Sequence, residues 1–250
     1  MLPGMYTAAT ALDAFQTKLD ASANNLANVN TTSVKRSVVD FQDLIYDGPS
    51  NLQVGRGVRV SDISLRDFNQ GPSVLTGKDL DLLIEGKGFF AVKAIDGTTQ
   101  YTRDGTFRRD STGRMVTDDG SILQPPITFP LDTIATTIDD TGVVSVLTGS
   151  SPTTPVILGQ VTVTRFTNPA GLRTEANNRY SETDASGLPI TAVPGTNAAG
   201  VVRQRALEQS NVDVTTELTT LIAAQRAYGV NSRVVRASDQ LISSALDTIR

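Results

Sequence analysis

Two glycine-bordered motifs have the residue types of ligand sites. Gly86-Lys87-Gly88 could cradle a phosphate, and Asp110, Asp118 and Asp119, each near a glycine, could bind calcium. The first motif lacks the third glycine of a phosphate loop and continues as the strand-like segment Phe89–Val92 instead of opening a helix. The second has neither the spacing nor the closing Glu of an EF-hand loop. Both therefore favour tight turns over ligand binding, and the first favours a hairpin turn.

Carboxylates and one Ser–Lys pair offer the remaining catalytic possibilities. Glu208 with Asp213 could serve a glycosidase, but the sequence has no Trp and few aromatic residues for a sugar cleft, so we interpret such carboxylates as solvated. Ser33 and Lys35 are the nearest Ser–Lys pair, without any sign of a pocket. The absence of His and Cys excludes imidazole bases, Cys nucleophiles, disulfides and His- or Cys-dependent metal sites. We predict no enzyme, no cofactor and no metal.

Composition and charge narrow the possible partners. The 250 residues are 39% hydrophobic and 5% aromatic, with a net charge of −4. Lys35-Arg36 and Arg108-Arg109 are the adjacent basic pairs, too small for a nucleic-acid surface. No stretch approaches the roughly 18 apolar residues of a membrane span. The N-terminus lacks the basic and continuous apolar regions of a secretory signal, so we expect a soluble chain that, if exported, leaves without a cleaved signal peptide.

The N-terminal segment has the heptad pattern of a helix that packs on another helix. Met5, Leu12, Leu19 and Leu26 recur every seven residues. Ala8, Phe15 and Ala23 occupy nearby complementary positions. The Asn-rich stretch at 24–32 is a poor helix interior, so the helix should end there.

The C-terminal segment repeats the pattern over a longer run, and Asp213 is its predicted N-cap. The positions that would face a partner helix form a seam, and they alternate in steps of four and three: Val214, Leu218, Leu221, Gln225, Tyr228, Ser232, Val235, Asp239, Ile242, Leu246 and Ile249. At 1.5 Å per residue this helix would be roughly 55 Å long. A helix of that length needs another helix along it, either the N-terminal one or one from a neighbouring molecule.

The middle of the chain has the pattern of strands and turns. Asp-Gly and related turn signals recur about every eight residues between short alternating runs, which predicts a β-meander. We therefore predict an α+β fold, in which long N- and C-terminal helices pair as a coiled coil and a β-rich middle domain is inserted between them. Long seams with little else to cover them favour a self-assembling structural protein. An intramolecular helical hairpin, a β-domain binding module with dimerising helices, and a hydrolase using Asp or Glu remain alternatives.

Motifs along the whole chain resemble those of the bacterial flagellar rod and hook family. They are Ala23–Thr31, Phe41–Tyr46, Gly88–Phe90, Tyr101–Arg103, Asn168–Leu172, Ser210–Val212 and Gln225–Tyr228. The length and the middle segment are most similar to the distal-rod members of the family. The segment Asp47–Asn51, after the second motif, is shorter than in many of those members.

The resemblance implies a structural subunit that polymerises into a hollow helical drive shaft between motor and hook. An inner coiled-coil domain (1–32 and 208–250), a connecting region (33–75 and 186–207) and an outer β-rich domain (76–185) are expected. Implied partners are further copies of the chain, proximal rod proteins, the hook protein, the P-ring and L-ring proteins and the flagellar export apparatus, with neither nucleic acid nor a small-molecule substrate. A proximal rod or hook subunit is the alternative within the family.

Both helices contribute residues to the expected assembly interface. They are Met5, Leu12, Phe15, Leu19, Asn24, Asn25, Leu26 and Asn28 from the first helix, and Leu218, Leu221, Gln225, Arg226, Tyr228, Val235, Ile242 and Leu246 from the second.

Overall fold

The computed structural model describes residues 2–47, 53–60 and 65–247. The chain forms two compact units. Unit 1 comprises residues 1–29, 36–67 and 212–250, and unit 2 comprises residues 30–35 and 68–211. Most of the short segment noted after Tyr46 lies outside the described residues.

The described residues of unit 1 form two helices and four strands. They are α1 (Leu2–Ala27), β1 (Ser37–Val38), β2 (Phe41–Asp47), β3 (Gln53–Val60), β4 (Leu65–Arg66) and α2 (Val214–Asp247). The end of α1 at Ala27 agrees with the prediction from the Asn-rich stretch. The predicted N-cap is confirmed, because the Thr216 backbone N–H donates to Asp213 Oδ1 at 2.7 Å. With 34 residues, α2 is about 51 Å long.

The two helices of unit 1 contact each other, and α1 also contacts β3. Asn25, near the end of α1, hydrogen bonds to Glu217, near the start of α2. Because these two positions meet, the helices can lie side by side only if they run antiparallel. The strands form two antiparallel pairs, β1 with β4 and β2 with β3.

Unit 2 is built from strands and one short 3₁₀ helix (Pro169–Gly171). The strands are β5 (Ser73–Leu75), β6 (Leu82–Glu85), β7 (Phe90–Lys93), β8 (Thr99–Thr102), β9 (Phe107–Arg109), β10 (Met115–Thr117), β11 (Ile122–Gln124), β12 (Thr133–Ile138), β13 (Val143–Thr148), β14 (Ser151–Gln160), β15 (Val163–Arg165), β16 (Arg173–Thr174), β17 (Arg179–Ser181), β18 (Ile190–Ala192), β19 (Val201–Gln204) and β20 (Ala206–Glu208). The predicted α+β class, with a β-rich middle between two helices, is confirmed.

Antiparallel sheets enclose the core of unit 2. The largest has the strand order β16-β17-β8-β7-β11-β10-β9, and a second has the order β12-β13-β14. Leu82, Phe90, Met115 and Val144 are among the fully buried side chains of the main cluster. A second cluster gathers aromatic rings, in which Phe89 packs edge-on against Tyr180 with ring centroids 5.7 Å apart. This unit therefore has an apolar interior of its own, made of two clusters.

The expectation of a hairpin at Gly86-Lys87-Gly88 is wrong. β6 pairs with β19, whereas β7 pairs with β8 and β11, so the segment connects two different sheets. Gly88 has φ +137°, and a Cβ there would lie 2.1 Å from Val163 Cγ1. The glycine is needed because the crossing backbone passes directly over β15.

The predicted turns at Asp96-Gly97, Ser111–Gly113 and Asp119-Gly120 are confirmed, whereas Asp104-Gly105 forms no turn. The carboxylates of Asp96, Asp104, Asp110 and Asp139 each accept hydrogen bonds from the Thr two residues later. At Asp110, the hydrogen bond from the Thr112 hydroxyl is the main cause of a pKa far below the ordinary aspartate value. Except for Asp104, these aspartates close turns by binding their own backbone and side-chain neighbours.

Candidate assembly interface

The buried row of α1 consists of small or polar residues. Ala8, Ala11, Ala14, Ser22 and Asn25 are all buried. Their short side chains let α2 and β3 approach the helix closely, since the distance between packed elements depends on the side chains at the contact. This row is offset from the heptad of large apolar residues seen in the sequence.

The large apolar residues expected at the interface lie beside that row. Met5, Leu12, Phe15, Leu19 and Leu26 are half-buried. The Phe15 ring packs edge-on against Phe41 of β2, with ring centroids 5.5 Å apart. Lys18 Nζ lies 4.9 Å from the centroid of the same Phe41 ring. Each of the five side chains keeps a partly exposed surface within one chain.

Asn25 is the centre of a polar junction in unit 1. Its Nδ2 donates to the Ser37 carbonyl at 3.0 Å and to Glu217 Oε1 at 3.3 Å, and its Oδ1 accepts from the Ser37 N–H at 2.8 Å. Arg36 Nε donates to the same Glu217 oxygen at 2.7 Å. The sequence singled out Asn25 as a contact between subunits, and the structure uses it to join α1, β1 and α2 within one chain.

The other polar residues predicted at the interface are exposed or half-buried. Asn24, Gln225 and Arg226 are exposed. Asn28 is half-buried, and its Nδ2 donates back to the Asn24 carbonyl at 2.9 Å. A role for these side chains between subunits stays a prediction.

α2 turns one row of residues inward. Glu217 and Ala224 are buried, and Leu221, Asn231, Val235, Ser238 and Ile242 are half-buried. The steps between these positions match a helix that packs on one partner along its length. Leu246 belongs to α2, but its side chain lies outside the described part of the chain.

The remaining surface of α2 exposes large apolar side chains. About a third to more than half of each side chain is exposed at Val214, Leu218, Ile222, Tyr228, Val230, Val234 and Leu241. Single exposed apolar residues are normal on a protein surface, but several along one helix mark a contact surface. Leu218 and Tyr228 were predicted from the heptads, whereas Ile222, Val230, Val234 and Leu241 were missed because they fall outside the chosen seam.

A buried ion network lies in unit 2. Glu208 and Lys35 are each 1% exposed and Arg103 is 5% exposed. Lys35 Nζ lies 2.6 Å from Glu208 Oε1, and Arg103 Nη1 lies 2.9 Å from Glu208 Oε2. The Gly71 backbone N–H donates to Glu208 Oε1 at 2.8 Å, and Lys35 Nζ also donates to the Asn69 carbonyl at 2.8 Å. One carboxylate thus holds two cations from distant parts of the sequence.

The network corrects one interpretation of the sequence and agrees with another. Glu208 is not a solvated carboxylate, because its side chain is enclosed and bound by both cations. Ser33 and Lys35 do not form a hydrolase dyad, because Ser33 Oγ donates to the Arg103 carbonyl at 2.8 Å while the Lys35 ammonium is bound to Glu208. Sequence alone gives no signal for such a network, since isolated charged residues are usually exposed.

A cleft of about 350 Å³ in unit 2 is lined by polar residues, including Asp104, Asp118, Asp119 and Arg179. Burial raises the pKa of Asp104, although hydrogen bonds from Thr106 oppose the shift. In the part of the chain that the structure describes, no group of three or more acidic side chains is placed to hold a metal ion. Neither described helix is long and apolar enough to cross a membrane.

Three family models match the chain. The "Flagella basal body rod protein" model matches residues 5–33, and the "Flagellar hook protein FlgE/F/G D1 domain" model matches residues 83–146. The "Flagellar basal body rod FlgEFG protein C-terminal" model matches residues 203–248. The three matches fall on α1, on the strands of unit 2 and on α2 with the strands before it.

Full-length relatives carry the same description. The chain is 40% identical over 261 residues to the flagellar basal-body rod protein FlgG of Borreliella burgdorferi, with 98% of each chain covered. It is 40% identical to FlgG of Agrobacterium fabrum, covering 94% of this chain and 95% of the relative. Identity to FlgG of Bacillus subtilis is 34%, and both chains are fully covered.

Proposed function

The chain belongs to the family of flagellar basal-body rod proteins, and from that membership we propose that it is a structural subunit of the distal rod. Copies of the subunit polymerise into a hollow helical drive shaft that transmits torque from the motor to the hook. The role is mechanical and requires no catalytic residue. The subunit works in the basal body, where the rod crosses the periplasm.

The observation that carries the proposal is the surface of α2. This helix packs on α1 along one row, yet it leaves apolar residues such as Ile222 and Leu241 at least half exposed. Burying a half-exposed aliphatic side chain contributes on the order of 1 kcal/mol. Several such residues per copy, repeated in every copy, stabilise a polymer far more than they stabilise a single chain.

In the polymer, α1 and α2 form the inner domain as a coiled coil. The half-buried residues Met5, Leu12, Leu19 and Leu26 then complete their burial against neighbouring copies. The β-rich part of the chain forms the outer domain. Proposed partners are other copies of the chain, proximal rod proteins, the hook protein, the P-ring and L-ring proteins and the flagellar export apparatus.

Purified full-length protein tests this function. We expect growth into tubes above a critical concentration, seen by electron microscopy. We also expect that cells lacking the protein lose motility and form basal bodies without a distal rod or hook. A discrete small oligomer at every concentration would contradict the proposal and would instead match a binding module with dimerising helices.

A further inference from the structure

Two exposed apolar stripes lie on opposite flanks of α2. The first is formed by Val214, Leu218 and Ile222 in the N-terminal half of the helix, and the second by Val230, Val234 and Leu241 in the C-terminal half. At 100° per residue, each stripe lies roughly 110° from the row that packs inward, on opposite sides of it. Packing on α1 therefore leaves both stripes uncovered within one chain.

We propose that the C-terminal stripe of one copy packs on the N-terminal stripe of α2 from a neighbouring copy. This inference rests on the proposed function and names the contact that builds the polymer. The six side chains carry no charge, so each stripe fits an apolar partner. The two stripes differ from each other, so the contact is head-to-tail, and a head-to-tail contact that does not close gives a helical array.

The direction of the contact follows from the polarity of the proposed shaft, and its stagger follows from the positions of the stripes. A shaft with different partners at its two ends is polar, so neighbouring α2 helices run parallel. Val230 then meets Val214 of the next copy, and Val234 meets Leu218, an offset of 16 residues. At 1.5 Å per residue, neighbouring copies are displaced by about 24 Å along the helix axis.

Helices aligned at the same level would not match large apolar residues with each other. If a neighbouring α2 helix had no axial offset, its flank next to the C-terminal stripe would carry Gly229 and Arg236. In the same arrangement, the flank of the neighbouring helix next to the N-terminal stripe would carry Ala223 and Ala227. The staggered arrangement instead brings two large apolar residues of each flank together, Val230 with Val214 and Val234 with Leu218.

The size of the contact selects a polymer over a pair. Each stripe offers three side chains, whereas a stable binary interface uses about 20–30 residues on each side. One such contact is too small to hold an isolated dimer. It becomes effective when every copy engages two neighbours and α1 and the outer strands add further contacts.

Cysteine cross-linking tests the stagger directly, because the natural chain contains no Cys. Full-length Leu218→Cys and Val234→Cys variants are polymerised together under reducing conditions, checked by electron microscopy, and oxidised with copper phenanthroline. A disulfide needs Cα atoms about 4.4–6.8 Å apart, so it reports a close contact. We expect disulfide-linked dimers from the mixture and none from either variant alone.

The matched control pairs two positions that face each other only without the stagger. Ala223→Cys lies on the same flank as Val234 but one residue from the level of Ile222, so it cross-links to Ile222→Cys only if the helices are not staggered. We expect at least tenfold more dimer from the Leu218→Cys and Val234→Cys mixture than from the control mixture. Val214→Cys with Val230→Cys gives a second pair with the same expected result.

Each outcome has one meaning. Polymers in which neither staggered pair cross-links, or in which the control pair cross-links more strongly, overturn the inference and leave the proposed function standing. If the unmodified chain forms no polymer, the proposed function itself fails. If one cysteine pair prevents polymerisation, the other pair decides.

Discussion

The two compact units differ in how they bury their apolar residues. Unit 2 has two buried apolar clusters and pairs its buried charges, as at Glu208, although it also exposes large apolar side chains such as Leu75 and Leu131. Unit 1 buries a narrow row of small residues and leaves large apolar side chains, such as Ile222 and Leu241, at least half exposed. The difference indicates that unit 2 is stabilised by its own interior, whereas unit 1 reaches its full stability only in an assembly.

The largest expected effect comes from the buried ion network. Glu208→Gln leaves Lys35 and Arg103 buried without their counter-charge, and breaking a buried ion pair costs about 3–5 kcal/mol. We expect a loss of that size in the free energy of unfolding, measured by urea denaturation with circular dichroism. Glu85→Gln is the control, because its pair with Arg203 is exposed and its loss should cost less than about 1 kcal/mol. Equal effects of the two changes would contradict the role of the network.

The polar junction of unit 1 should be the next most sensitive point. Asn25→Ala leaves the N–H and carbonyl of Ser37 without their side-chain partner and should cost about 1–3 kcal/mol. Asn24→Ala, one residue earlier and exposed, is the control and should stay within about 0.5 kcal/mol of the natural protein. Urea denaturation of the full chain measures both. If the two variants unfold alike, the junction does not stabilise unit 1.

Apolar residues on the surface of α2 should matter for assembly and not for folding. The double change Ile222→Ser and Leu241→Ser removes two exposed side chains, each worth on the order of 1 kcal/mol when buried. The critical concentration for polymerisation should therefore rise about tenfold or more, while the free energy of unfolding stays within about 0.5 kcal/mol. Sedimentation and urea denaturation measure the two quantities. Gln240→Ser, exposed on the same helix, should change neither, and a loss of folding stability in the double variant would refute the distinction between the units.

The smallest expected effect is on the pH dependence of α2. Hydrogen bonds from the Thr216 side chain and backbone lower the pKa of Asp213. A carboxylate with a lowered pKa stabilises the folded state fully above its unfolded pKa, and this stabilisation is lost as pH falls through the folded pKa. Asp213→Asn keeps a capping side chain but does not titrate. We expect the urea midpoints of the natural protein and the variant to diverge between pH 7 and pH 3, with the natural protein losing more below about pH 4. If the urea midpoints of the two proteins change in parallel across that range, the charge of the cap is unimportant.

Local sequence patterns predicted the elements well. The heptads located both helices, Asp213 located the start of α2, and the strand-like run Phe89–Val92 located β7. These features depend on residues close in sequence, where helical and strand periodicities and turn preferences act directly.

Contacts between distant residues could not be predicted in the same way. Lys35, Arg103 and Glu208 carry no local sign that they will meet, and charged residues are usually exposed. The glycines at 86–88 resemble a hairpin turn locally, but the strands on either side of them find partners elsewhere. On α1, the heptad pattern included Ala8 but missed the buried Ala11 and Ala14, because a search for large apolar residues passes over small side chains at close contacts.

The stability of unit 2 and the incompleteness of unit 1 lead to one central claim: copies of the chain join through α2. Electron cryomicroscopy of tubes grown from the purified full-length protein, at side-chain resolution, tests it most directly. We expect the exposed apolar side chains of α2 to be buried between neighbouring copies, with adjacent α2 helices in contact. Tubes in which Leu218, Val234 and Leu241 still face solvent would contradict the claim.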